Sequence, residues 1–101
     1  MIVQVVMYKF KHELSKMANM VKAKEMLEAL PEKVEWLQTM QVGLDFNRGA
    51  SAYDLCTYAT FRKKEHLIWF KAEPESLEVL NFLKASTDVS HVVEYEVDED
   101  E

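Results

Sequence analysis

The chain has one cysteine, two glycines, two prolines and three histidines among 101 residues, and its longest apolar runs are only a few residues. A lone thiol, Cys56, excludes an intramolecular disulfide and a zinc site built from several thiolates, and it agrees with a reducing compartment. Cys56 therefore reads as a small packed hydrophobe. So little glycine and proline excludes collagen-like and low-complexity chains. Without an apolar stretch of about 20 residues there is no candidate membrane span. The opening MIVQVVMYKFKHEL has neither a basic leader nor a small-residue cleavage site, so the expected location is cytosolic.

What is present is the composition of one globular domain: 49% apolar and 30% charged residues in 101 positions. The formal net charge is −6. Six acids, Glu94, Glu96, Asp98, Glu99, Asp100 and Glu101, fall in the last eight residues, and the remainder is balanced. A balanced body has no basic footprint for phosphate backbones, so nucleic acid is not an expected partner. Residues 1–97 read as the domain and 98–101 as an acidic, solubilising C-terminal tail.

Residues 2–10, IVQVVMYKF, are rich in β-branched and aromatic side chains over a strand-sized length. Ile2, Val6, Tyr8 and Phe10 share one face with Gln4, while Val3, Val5 and Met7 share the other. Leu14, Met17, Met20, Val21, Leu27 and Leu30 then recur at helical spacing, predicting a helix over about 15–30, with Ser15 as its cap and Pro31 ending it. Alternation over 37–46 predicts a second strand, and Asn47 and Gly49 supply a turn. Residues 53–61 predict a third strand, 62–71 a short helix, a second helix starts at Pro74, and 91–97 predict the last strand. The order βαββααβ fits an α+β, ferredoxin-like domain, an antiparallel four-stranded sheet with helices on one face.

Those helices can cover one sheet face, yet Val3, Val5 and Met7 with Cys56 and Tyr58 make the other apolar too. Leaving about 500 Å² of apolar area wet would cost ~12 kcal/mol at about 25 cal/mol per Å², as much as a whole domain's stability. The sequence therefore predicts a homodimer closed sheet against sheet through these five residues.

Several passages carry a resemblance: the opening VVMYKFK, then ALPEKVEWLQTMQVGLDF, YDLCTYATF, EPESLEVLNFLK and the closing VVEYEV. In these the chain resembles the stress-responsive A/B barrel domain family over nearly its whole length. The resemblance implies a dimeric α+β barrel with helices outside. It also points to a plant polyketide cyclase branch that works through a Tyr-x-x-His-Pro-x-His motif. Here Phe70 stands at the tyrosine, Glu73 at the first histidine and Ser76 at the last, and only Pro74 is retained. Two further histidine positions of that branch fall at Gln4 and Leu55. The resemblance thus implies a pocket lined by Gln4, Leu55, Phe70, Glu73 and Ser76, with Trp69 at its roof, but no catalytic residue of the cyclase kind and no cofactor.

Among these candidates, a carboxylate beside an apolar pocket can act as a base, which singles out Glu73. The plainer reading places Glu73 and Glu75 at a helix start, where negative charge suits the dipole and free amides. His12, His66 and His91 are far apart in sequence and lack paired-ligand spacing, so no metal site is expected, and each reads as solvated. Met7, Met17, Met20, Met26 and Met40 could line a ligand space, but helical spacing of Met17 and Met20 is equally that of a core. Trp36 and Trp69 read first as buried area. Two functions follow: a non-catalytic dimer, structural or holding a small hydrophobic ligand, or a cyclase-like enzyme on a small aromatic or polyketide-like substrate with Glu73 as base.

Overall fold

The computed structural model describes residues 1–98; Glu99, Asp100 and Glu101 of the acidic tail lie outside the described residues. Four strands, β1 (Ile2–Phe10), β2 (Thr39–Leu44), β3 (Leu55–Phe61) and β4 (Thr87–Glu96), form one antiparallel sheet in the order β2-β3-β1-β4. Helices α1 (Lys16–Glu28), α3 (Lys64–Ala72) and α4 (Pro74–Ser86) complete the ferredoxin-like α+β arrangement, with a four-residue helical turn α2 (Leu30–Lys33) between α1 and β2.

Local chemistry explains where the elements differ from the sequence expectations. Pro31 opens α2 rather than ending the helical region, because its missing amide costs nothing in a first turn. Ser15 stands at the N-cap of α1 but makes no capping bond; its hydroxyl donates to Glu13 instead. Leu14 and Val21, assigned to the apolar face of that helix, are exposed, whereas Met20, Ala23 and Leu27 carry its packing. β4 begins four residues earlier than expected, because α4 passes straight into it at Thr87, whose hydroxyl donates to the Leu83 carbonyl.

The core lies between the helices and the inner sheet face. Ile2, Val6, Tyr8 and Phe10 of β1 and Leu55, Ala59 and Phe61 of β3 pack with Leu27, Leu67, Phe70, Val79 and Leu83. Cross-strand register places Val5 opposite both Tyr58 and Val93, and Met7 opposite Cys56 and His91, on the outer face. There Met7 is 42%, Tyr58 38% and Val93 54% exposed. Val3 departs from the expectation for this face: it is 0% exposed within its own chain, between Thr60 and Tyr95, and needs no second copy to be covered.

Candidate functional site

The corner between α3 and α4 collects four of the sequence candidates. Phe70 is buried and tilts against Phe61 with ring centroids 5.3 Å apart. Ser76, in the first turn of α4, is completely enclosed, and its Oγ has no hydrogen-bond partner. Glu73 is the N-cap of α4, so the plainer reading has its position right. Its side chain makes no capping bond, however; the carboxylate accepts the indole N–H of Trp36 at 3.2 Å. Trp69 is 45% exposed, which corrects its reading as a source of buried area.

Trp36 also meets Trp69 edge to face at 4.7 Å, and His66 packs against both indoles at 5.0 and 5.5 Å. Sequence reasoning missed this aromatic group and read His66 as solvated. Its i, i+3 spacing from Trp69 on α3 was a usable signal for that half of the contact. Trp36 arrives from another element, so only the tertiary structure joins it to them.

Gln4 and Leu55 stand apart from each other. Gln4 pairs with Ala59 and Leu55 with Tyr8, four residues further along the sheet, or about 13 Å at roughly 3.3 Å per residue. The Gln4 side-chain amide is nearly buried and donates to Glu94 at 2.8 Å, while Lys71 reaches the same carboxylate oxygen at 3.3 Å. These donors hold the Glu94 carboxyl below the usual carboxylate range, the Gln4 hydrogen bond being the largest cause and partial burial opposing it.

Leu55 lines a cavity of about 490 Å³ at the other end of the sheet, with Met7, Gly43, Leu44, Tyr53 and Cys56. Two of its lining residues, Met7 and Cys56, pair with each other on the outer sheet face. The β2–β3 loop forms its rim, and Asp45 organises that loop: its carboxylate accepts the backbone amides of Asn47 and Arg48 at 3.1 and 2.8 Å. Arg48, not Gly49, takes the left-handed backbone conformation, with φ 58°. The turn expected from Asn47 and Gly49 is present at 49–52, where the Ala52 amide donates to the Gly49 carbonyl at 3.1 Å, but Asp45 was missed, although an aspartate shortly before a turn is a recognisable signal.

The methionines divide between roles: Met20 is in the core, Met26 and Met40 pack against it, and Met7 and Met17 are exposed. His91 is exposed, with its ring 5.7 Å from that of Tyr53. Among the described residues no group of three or more His, Cys, Asp or Glu side chains could hold a metal ion. Among them, too, no helix is long and apolar enough to cross a membrane.

Residues 2–97 match the family model described as the stress-responsive A/B barrel domain. The chain is similar in structure to a dimeric ferredoxin-like protein of unknown function from Bacteroides fragilis, at TM-score 0.87 and 24% identity, covering 95% of each chain. A dimeric ferredoxin-like protein of unknown function from Jannaschia sp. gives TM-score 0.79 at 24% identity, covering 95% of this chain and 98% of that one. A hydroxynitrile lyase from Passiflora edulis gives 0.76 at 14% identity, covering 97% and 94%. No curated protein matches the chain in sequence.

Proposed function

Because the chain belongs to the stress-responsive A/B barrel domain family, we propose that it works as a cytosolic homodimer, two outer sheet faces meeting to form a barrel that holds a small hydrophobic ligand without cyclase-type catalysis. The observation that carries this reading is the apolar strip on the outer face, where Met7, Tyr58, Val93 and Tyr95 are exposed. Val5 sits at its centre, and Cys56 at its edge beside Met7. Val3, already enclosed, would stiffen the strip from beneath rather than contribute contact area. The dimeric state of the similar Bacteroides and Jannaschia proteins supports the same assembly. A partner sheet would also narrow the mouth of the 490 Å³ cavity beside Leu55, which is the ligand space in this reading.

The enzyme alternative has less support. Its base, Glu73, has its carboxylate engaged by Trp36, and Phe70 and Ser76 beside it are closed off from solvent. Sedimentation at micromolar concentration tests the dimer: the expected mass is twice 11.8 kDa, and Val5→Asp, which would bury an unpaired charge at the interface, should reduce it to 11.8 kDa. A wild-type protein sedimenting as a stable monomer would refute the proposal.

A further inference from the structure

On the far side of the β2–β3 loop lies a separate cleft of about 390 Å³, between that loop and the segment joining β1 to α1. Its charged lining is Lys9, His12, Lys16 and Arg48 with Asp45 and Asp54. Both carboxylates are already occupied. Asp54 accepts the Phe10 amide at 2.8 Å and pairs with Lys16 at 3.4 Å, and Asp45 is held by the two loop amides described above.

The cations are less fully used. Among the described residues, neither Arg48 nor His12 makes a side-chain hydrogen bond or ion pair. Lys9 has one weak bond, to the Ala52 carbonyl at 3.5 Å, and lies 5.7 Å from the Tyr53 ring centre. Three permanent cations against two carboxylates leave a single positive charge here, in a protein whose net charge is −6. The other wall is apolar, formed by Met17, Met20 and Ala52. Unsatisfied guanidinium and ammonium donors facing an apolar wall match a ligand with one anionic head and a short hydrocarbon tail.

We infer that this cleft binds a small amphipathic monocarboxylate, its head taken by Arg48, Lys9 and His12 and its tail laid on Met17 and Met20. The residues lining the cleft all come from one chain, and it shares only Asp45 and Ala52 of the intervening loop with the cavity beside Leu55. Arg48 is suited to test it because its backbone is left-handed, a conformation glycine adopts without steric cost. Arg48→Gly should therefore fold at least as well as the parent while losing the guanidinium.

The probe is octanoate, titrated into the isotope-labelled protein and followed by amide NMR, with octan-1-ol and acetate as the tail and head alone. The expected result is saturable shifts centred on Lys16, Met17 and Gly49, which line this cleft and not the cavity beside Leu55, with affinity at least tenfold above either half-probe. Arg48→Gly and Arg48→Gln should each weaken octanoate at least tenfold with unchanged amide dispersion elsewhere. Octan-1-ol binding as tightly as octanoate would overturn the anionic head, and acetate doing so would overturn the tail. Shifts centred on Met7, Tyr58 and Leu55, or affinity unchanged in both variants, would overturn the site itself.

Discussion

The indole N–H of Trp36 donates to the carboxylate of Glu73 at 3.2 Å, joining residues 37 positions apart. Trp36 precedes β2, and Glu73 is the single non-helical residue between α3 and α4. This bond, with the packing of Trp36 on His66 and Trp69, ties the approach to one edge strand to the corner of the helical layer. At the same corner the candidate base is occupied as an acceptor, so a structural task accounts for Glu73 without any proton transfer.

Glu73→Gln should be nearly neutral for stability, because the amide oxygen can still accept the indole N–H. Glu73→Leu removes the acceptor and should cost about 1 kcal/mol, since the site is only part-buried and water can replace some of the bond. Urea denaturation followed by tryptophan fluorescence measures both. A Gln variant as damaged as the Leu variant would mean that the charge, not the hydrogen bond, matters there.

Ser76 presents the opposite case, a buried hydroxyl with no partner. Enclosing an unpaired polar group costs roughly 1–3 kcal/mol, so Ser76→Ala should stabilise the fold by about 1 kcal/mol once the small loss of packing is counted. Its helical position favours alanine further. The check is the urea midpoint at unchanged slope. A destabilised Ser76→Ala would mean the hydroxyl has a partner, such as an enclosed water.

The sheet and helices were legible because each is written in a local period. β1 shows β-branched residues on both faces, and α4 shows Val79 and Leu83 four apart behind a proline. The apolar outer face was likewise legible from Val5, Met7, Cys56 and Tyr58, since alternation assigns a side chain to a face. What alternation cannot give is how far neighbours cover it, which is why Val3 was placed with the exposed set although Thr60 and Tyr95 flank it. The site was less legible for the same reason. Gln4 and Leu55 share a face but stand four residues apart along the sheet, and Asp45, Trp36 and Glu94 act through partners from other elements.

Glu94 links β4 to β1 through Gln4 and to α3 through Lys71. Its pKa is lowered in the folded state, first by the Gln4 hydrogen bond and then by Lys71, so the stabilisation is present above the ordinary carboxylate value and is lost as pH falls through the lower, folded one. Glu94→Gln should therefore be less stable than the parent at neutral pH, and the two should converge as the solution is made more acidic than pH 4.5. Because the carboxylate is over a third exposed, the difference is small and salt-sensitive. Denaturation curves at neutral and acid pH decide it; a gap that persists unchanged in acid would show that the side chain's packing, not its charge, is responsible.

Tyr8 sets the corresponding limit on the alkaline side. It lies on the inner face of β1, 9% exposed, and burial pushes its phenol from the ordinary 10.0 up to about 12. The folded state thus holds the neutral phenol more tightly than the unfolded chain does. That contribution is complete below the unfolded value and is withdrawn as pH rises from about 10 to about 12, by roughly 3 kcal/mol at about 1.4 kcal/mol per pKa unit. Tyr8→Phe keeps the buried ring and removes the ionisation, so the variant should match the parent near neutrality and outlast it above pH 10. Thermal melts of the two proteins across that range measure the divergence directly, and the lysines, common to both, cancel in the comparison. Parallel alkaline limbs would mean that the phenol reaches water in the folded state, and that the sheet end where β1 meets α4 is more open than its packing indicates.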